Sequence, residues 1–308
     1  MNHGCSGNGS NPKADRFAGF SLHTSGGVCL RRAERIAAMM ERLLQQQGQL
    51  ISLQSFCLEF QVAKSTVSED LAIIRRALDE AGQGRIETVL GAAGGVRYLS
   101  FSNRSAALQD AKALMELLRQ PDRILAGGFI YMTDIVFSPE WSYRVGRIFA
   151  SRFHDRHPEY VVTVETKGIP AALMTAHCLG VPLVVLRRDS RVTEGSTVSL
   201  NYISGSSQRR IQTMALPRRA LTPGARALVI DDFMRGGGTA KGMVDLLHEV
   251  GVEVVGMGMF MATAEPAQKR VENYDPIFIL ESVSEKERKI NLTLGNWLLT
   301  DQQQGAGT

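Results

Sequence analysis

The chain has 308 residues, long for one compact core, and a soft scale of about one domain per 150 residues points to two. Its 44% hydrophobic content fits a globular protein, and the longest uncharged apolar run, Val254 to Ala264, falls well short of the ~20 residues of a membrane-spanning helix. A net charge of +4 is too small to name a partner, and Cys5, Cys29, Cys57 and Cys178, scattered with no CxxC pair, argue against a disulfide framework or a zinc site and for a reducing cytoplasm.

Residues 1–28 are rich in Gly, Ser and Asn, carry no secretion signal pattern and read as a disordered tail. From Arg32 to Gln47 the residues Ile36, Met39, Met40, Leu43 and Leu44 recur at helical spacing, and Gly48 ends the helix. After the pause Gln49-Leu50-Ile51, Ser52 caps a short helix, Leu53 to Phe60. A turn at residues 61–64 leads to a longer helix, Ser65 to about Ala81, with Thr66 and Glu69 as a capping box, Val67, Leu71, Ile74 and Leu78 as its inner stripe, and Gly82 as its stop. Two strand-like stretches, Arg85 to Leu90 and Val96 to Leu99, are joined by a Gly-rich turn. Three helices and a hairpin over residues 29–100 spell a winged helix-turn-helix domain. In such a module the third helix enters the major groove of double-stranded DNA, which makes Lys64, Ser65, Thr66 and Ser68, with Arg97 on the wing, the candidate DNA contacts. Between Val62 and Leu99 five basic residues balance five acidic ones, so affinity would rest on few well-placed contacts or on two copies.

Arg104 to Gln120 reads as a linker helix opening the second domain, residues 101–308. Beyond Pro121 the pattern becomes α/β. Val161–Val164, Leu183–Leu186, Ala227–Ile230 and Val254–Met261 read as buried strands, and Ala171–Leu179 and Thr239–Val250 as helices, which implies a mostly parallel sheet. Eight arginines stand between Arg187 and Arg226 against Asp189 and Glu194, a surplus expected to face an anion. His154, Asp155 and His157 have metal-like spacing but fit a solvated helix end.

The strongest chemical signal is the run Val229 to Thr239, in which an apolar strand ends in Asp231 and Asp232, passes Arg235 and the triplet Gly236, Gly237 and Gly238, and enters a helix at Thr239. The glycines let backbone N–H groups converge on a phosphate, Thr239 adds a hydroxyl donor, and the helix N-terminus its positive end. Two adjacent carboxylates repel phosphate but accept hydrogen bonds from neighbouring hydroxyls. Hydroxyls on one side and phosphate on the other describe a phosphorylated ribose.

This run resembles the phosphoribosyl pyrophosphate (PRPP) motif of type I phosphoribosyltransferases, with one departure: Gly236 stands where the enzymes carry the first Thr of the loop. Thr166, Lys167 and Gly168 resemble the family's pyrophosphate loop, with Lys167 meeting the pyrophosphate. The closer resemblance is to purine-operon regulators of the PurR type, carried by residues 65–71 (STVSEDL), 91–96 (GAAGGV), 166–170 (TKGIP), 192–199 (VTEGSTVS), 210–214 (RIQTM) and 230–234 (IDDFM), and it covers about Arg31 to Asn296. It implies a cytoplasmic homodimer that binds the control regions of purine genes, with PRPP, carrying Mg²⁺ on its pyrophosphate, as an effector that weakens DNA binding. It also implies guanosine tetraphosphate as a second ligand of the same pocket. The alternative is an active purine phosphoribosyltransferase with an added DNA-binding head.

Overall fold

A computed structural model describes residues 30–91, 94–188, 195–204 and 210–300. The expected N-terminal tail, the hairpin tip at Ala92 and Ala93, Arg191, Arg209 and part of the 192–199 motif lie outside the described residues.

The head comprises α1 (Arg32–Gln45), α2 (Leu53–Phe60), α3 (Lys64–Ala81) and the antiparallel pair β1 (Arg85–Val89) and β2 (Gly95–Leu99). Its core joins Met39 and Leu43 of α1, Phe56 and Phe60 of α2, Val67, Leu71, Ile74 and Leu78 of α3, and Ile86, Val96 and Tyr98 of the hairpin. Each of the larger apolar side chains is worth roughly 1.5–3 kcal/mol on full burial. Ser52 caps α2, accepting from Ser55 N at 3.1 Å, and Gly82 ends α3 at φ +62°. The expected Thr66 and Glu69 capping box does not form. α3 starts earlier, after Ala63, so Thr66 lies inside the first turn and Glu69 pairs with Arg32. The pause before α2 is also more than a connector: Ile51 N donates to Val96 O and Val96 N to Ile51 O, both at 2.8 Å. The two backbones approach so closely that a Cβ on Gly95 would lie 2.2 Å from Ile51 O.

An ion pair fastens α1 to α3. Asp70 is fully buried and receives Arg35 Nε at 2.6 Å and Arg32 Nε at 3.0 Å.

The second domain opens with α4 (Arg104–Leu118), a small hairpin of β3 (Ile124–Leu125) and β4 (Phe129–Ile130), α5 (Thr133–Val136) and α6 (Pro139–Phe153). There follow β5 (Tyr160–Val164), α7 (Ile169–Leu179), β6 (Leu183–Leu186), the antiparallel hairpin β7 (Thr197–Ser204) and β8 (Arg210–Pro217), β9 (Arg226–Met234), α8 (Gly238–Glu249), β10 (Glu253–Thr263), β11 (Asp275–Ser284), β12 (Lys289–Leu294) and α9 (Asn296–Leu299). The main sheet has the order β12-β11-β10-β9-β5-β6, parallel throughout except for β12. One core lies beneath α4, α6 and α7, and a second beneath α8 and the β7–β8 hairpin, so the sheet is covered on both faces. Among the described residues no helix is long and apolar enough to cross a membrane.

The domains meet backbone to backbone. Gly48, after α1, and Gly180, after α7, both adopt positive φ, and a Cβ on Gly48 would lie 2.3 Å from Gly180 Cα. Asn103 N donates to Gly82 O at 3.0 Å, and Arg85 of the head lies over the Phe101 ring.

Candidate functional site

Parallel sheets place ligands at the carboxyl ends of their strands, where the connecting loops open. Neighbouring strands β5 and β9 end there, and each runs into one of the two loops singled out in the sequence. β9 is longer than its apolar stretch: it continues through the acidic pair to Met234, with Asp231 opposite Met259 and Phe233 opposite Met261 of β10. Along the end of the strand Asp231 is buried, Asp232 half-buried and Phe233 38% exposed.

The acidic pair is electrostatically expensive. Burial, the Asp232 charge and the contact with Asp232 hold the Asp231 carboxyl well above its ordinary value of 3.8, while the Asp232 backbone N–H, donating to Asp231 Oδ1 at 2.9 Å, works in the other direction.

Gly237 caps α8 at φ +75°, and Lys241 N donates to Gly237 O at 2.9 Å. On the other side, Arg270 N donates to Gly236 O at 3.0 Å, and a Cβ on Gly237 would stand 3.2 Å from that nitrogen. The loop is thus fixed from behind by the segment after β10 and opens at the N-terminus of a 12-residue helix. Gly236, Gly238 and Thr239 are half-buried and Arg235 is exposed.

The pyrophosphate-type loop abuts the acidic pair. Gly168, the cap of α7, is buried, and a Cβ there would fall 2.6 Å from both Asp231 Oδ1 and Thr163 Oγ1. Only glycine permits that approach. Thr163 Oγ1 is buried with no hydrogen-bond partner, an open polar valence beside Asp231. Thr166 and Lys167 are exposed at the rim, and Glu165 accepts from Arg188 N at 2.8 Å.

Tyr202 of β7 is a residue that the sequence pattern does not single out. It is 6% exposed and donates to Gln212 Oε1 of β8 at 2.8 Å. Its ring packs on α8 so closely that a Cβ on Gly242 would lie 2.9 Å from it. Burial pushes its phenol up, and Arg188, Thr239 and Asp231 are near enough to act on it. The arginine-rich stretch, by contrast, is not one anion-facing surface. Arg187 and Arg188 stand beside the site at Glu165, but Arg226 begins β9 at the opposite end of the sheet, where it lies 3.9 Å from Glu253. Nine residues of strand, roughly 30 Å, separate that end from the loop.

In the head, Lys64, Ser65 and Ser68 are exposed at the start of α3 and Thr66 is half-buried. Ser68 Oγ donates to Lys64 O at 3.0 Å. Arg97 is engaged with Glu87, at 2.9 Å from Nε and 2.8 Å from Nη2. Burial opposes ionisation of Glu87, but its hydrogen bonds from Arg97 and Arg85 hold the carboxyl below its ordinary value. His154 stacks on Phe101, and among the described residues no group of three His, Cys, Asp or Glu is placed to hold a metal.

Comparison with known proteins matches two separate parts of the chain. Residues 31–100 match the family described as bacterial purine repressor, N-terminal, and residues 134–292 the phosphoribosyl transferase domain. A purine biosynthesis transcriptional repressor of Bacillus subtilis is 42% identical over 87% of this chain and 94% of its own. A purine biosynthesis transcriptional activator of Lactococcus lactis is 37% identical over 87% of this chain and 98% of its own. A xanthine phosphoribosyltransferase of Geobacillus thermodenitrificans is 33% identical over 50% of this chain and 80% of its own. With both halves matched in this order and relatives covered nearly end to end, the chain belongs to the PurR family of purine biosynthesis transcriptional regulators.

Proposed function

We propose that this protein represses purine biosynthesis genes by binding their control DNA through the head, and that PRPP in the second domain weakens that binding. The observation that carries the ligand reading is the meeting of the two loops. Asp231, Gly168 and the Gly236–Gly238 cradle converge at the carboxyl ends of β5 and β9, with Thr163 Oγ1 unpartnered among them. Ribose hydroxyls donate to the acidic pair, the 5′-phosphate lies on the glycine loop and Thr239, and the pyrophosphate meets Thr166, Lys167 and Gly168. Arg235, exposed beside the loop, adds positive charge at its mouth. Mg²⁺ carried in with the pyrophosphate would supply charge neutralisation beside Thr166, Lys167 and Gly168. Guanosine tetraphosphate presents the same phosphate chemistry and competes for the pocket.

A ligand acts as a switch only by favouring one state of the protein. Helix α7 supplies the route. It starts at Gly168 against Asp231 and ends at Gly180 against Gly48 of the head, a rod of 11 residues and roughly 16 Å. Movement of the pyrophosphate loop is therefore passed by a rigid element to the base of α1. This route does not draw on the arginine-rich stretch as a unit, since Arg226 lies at the other end of the sheet from Arg187 and Arg188. Two copies of the head, in a homodimer, compensate for its balanced charge.

The relatives covered nearly end to end are regulators, and the enzyme relative aligns with half of this chain. Gly236 removes one hydroxyl donor from the loop, consistent with binding in place of turnover. The protein should therefore yield no nucleotide from radiolabelled PRPP and purine bases while binding PRPP in a filter assay. Nucleotide formation at enzyme-like rates would sink the non-enzymatic reading.

A further inference from the structure

The β1–β2 hairpin carries a charge cluster on the face turned away from the core of the head. Ile86, Val96 and Tyr98 join that core, so strand alternation puts Arg85 and Glu87 of β1 on the outer face with Arg97 of β2, and Glu87 stands directly opposite Arg97. One carboxylate serves both arginines. Glu87 Oε1 accepts from Arg85 Nη2 at 2.6 Å and Nε at 3.1 Å, while Oε2 accepts from Arg97 Nε at 2.9 Å and lies 2.8 Å from its Nη2.

The nitrogens that Arg97 commits, Nε and Nη2, form an edge of the guanidinium that grips two oxygens of a phosphate. To use that edge on DNA, Arg97 must leave Glu87, and the carboxylate left behind then repels the backbone. Through its other edge, a guanidinium whose charge is already met adds little attraction for phosphate.

Arg85 is held from a second side. It stands at the base of the hairpin, with its guanidinium 5.4 Å from the centroid of the Phe101 ring and its Nη2 3.8 Å from Asp155 Oδ1, both in the second domain. Phe101 is stacked on His154, just after α6, with ring centroids 4.7 Å apart. Glu87 is therefore shared between an arginine on the wing and an arginine that the second domain grips.

We propose that Glu87 restrains the wing, withholding Arg97 from DNA phosphate, and that the second domain sets the strength of this restraint through Arg85. While Arg85 shares the carboxylate, its hold on Arg97 is divided. When the joint draws Arg85 away, the carboxylate falls to Arg97 alone and the wing loses affinity for phosphate. The inference rests on the reading of the hairpin as a DNA-contacting wing and is independent of which effector the second domain binds.

The test is the affinity of the full-length protein for purine-gene control DNA, followed by fluorescence anisotropy across a salt series in a cycle of variants. Arg97→Ala should weaken binding and reduce the slope of affinity against salt by about one unit. An unchanged slope would remove the wing contact, and the proposal with it. Glu87→Gln keeps the shape and drops the charge; it should tighten binding about 2- to 5-fold and steepen the slope by about one unit, and should do neither when combined with Arg97→Ala. No tightening, or equal tightening with and without Arg97, makes Glu87 an ordinary surface charge and overturns the restraint. Arg85→Ala, and Phe101→Leu in the second domain, should each loosen binding by about 2- to 5-fold and lose that effect in the Glu87→Gln background. Effects of equal size in both backgrounds would show that these residues act without Glu87 and would overturn control by the second domain. If Glu87→Gln does not fold, Arg85→Ala with and without Arg97→Ala decides, since the loosening must vanish once Arg97 is gone.

Discussion

Asp70 in the head and Asp231 at the phosphate loop are both buried carboxylates, and their surroundings treat them oppositely. Asp70 faces two guanidiniums, Arg35 at 2.6 Å and Arg32 at 3.0 Å, so its charge is met within the fold. Asp231 has another carboxylate beside it, and burial with that charge raises its pKa. The first arrangement locks two helices together. The second stores a cost that a ligand offering hydroxyl donors relieves, the pattern expected where a protein binds and not where it merely packs.

The largest effect expected from this contrast is in the head. Asp70→Ala leaves Arg35 buried without its counter-charge and should cost about 3–5 kcal/mol of head stability in urea unfolding. PRPP binding should survive, since the loops lie in the other domain; an unchanged denaturation midpoint would show that the pair is dispensable.

Next comes the paired change Asp231→Ala with Asp232→Ala. Loss of charge-assisted hydrogen bonds to the ribose should weaken PRPP binding by about 10- to 100-fold or more, read by calorimetry, with DNA affinity retained. Disappearance of DNA binding as well would make the pair structural.

Asp231→Asn separates charge from shape. With a folded-state pKa raised above 3.8, Asp231 keeps in the folded state a proton that the unfolded chain releases. Its contribution to stability is therefore lost as pH climbs from about 3.8 towards the folded value. At neutral pH the neutral amide should raise Tm by about 2–4 °C, the response of a domain of this size to about 1 kcal/mol, and should flatten the decline above pH 4. A lower Tm for Asp231→Asn at neutral pH would mean that the carboxylate is stabilised by something other than the ligand.

The smallest effect is at the DNA surface. Lys64→Ala should weaken binding about equally on all sequences and reduce the slope of affinity against salt by about one unit. A slope that does not change removes Lys64 from the phosphate contacts.

What could be read from the sequence follows from how local each feature is. The glycine loop, its strand and its helix are contiguous, and the Ser52 cap and the Gly82 stop are set within one turn, so pattern and geometry agree there. Tyr202 could not be read in this way, because it reaches the site through the pairing of β7 with β8 and the packing of that hairpin on α8. Asp70 was hidden for the same reason: its partners are 35 and 38 residues away, and in the sequence it counts simply as one of five acids balancing five bases. The arginine-rich stretch misled because nearness along the chain is not nearness in space: between Arg187 and Arg226 the chain returns from the carboxyl end of β6 to the amino end of β9. The capping box failed because two residues with the right spacing do not fix where a helix begins; here α3 starts after Ala63 and Glu69 turns to Arg32.

Fluorescence anisotropy of labelled purine-gene control DNA, titrated with the full-length protein at fixed salt with and without PRPP and Mg²⁺, tests the proposed switch most directly. PRPP should weaken DNA binding of the wild type by about 5- to 150-fold, the range of ordinary allosteric coupling, and leave the double Asp231→Ala, Asp232→Ala variant unaffected. Equal DNA affinity of the wild type with and without saturating PRPP would contradict it.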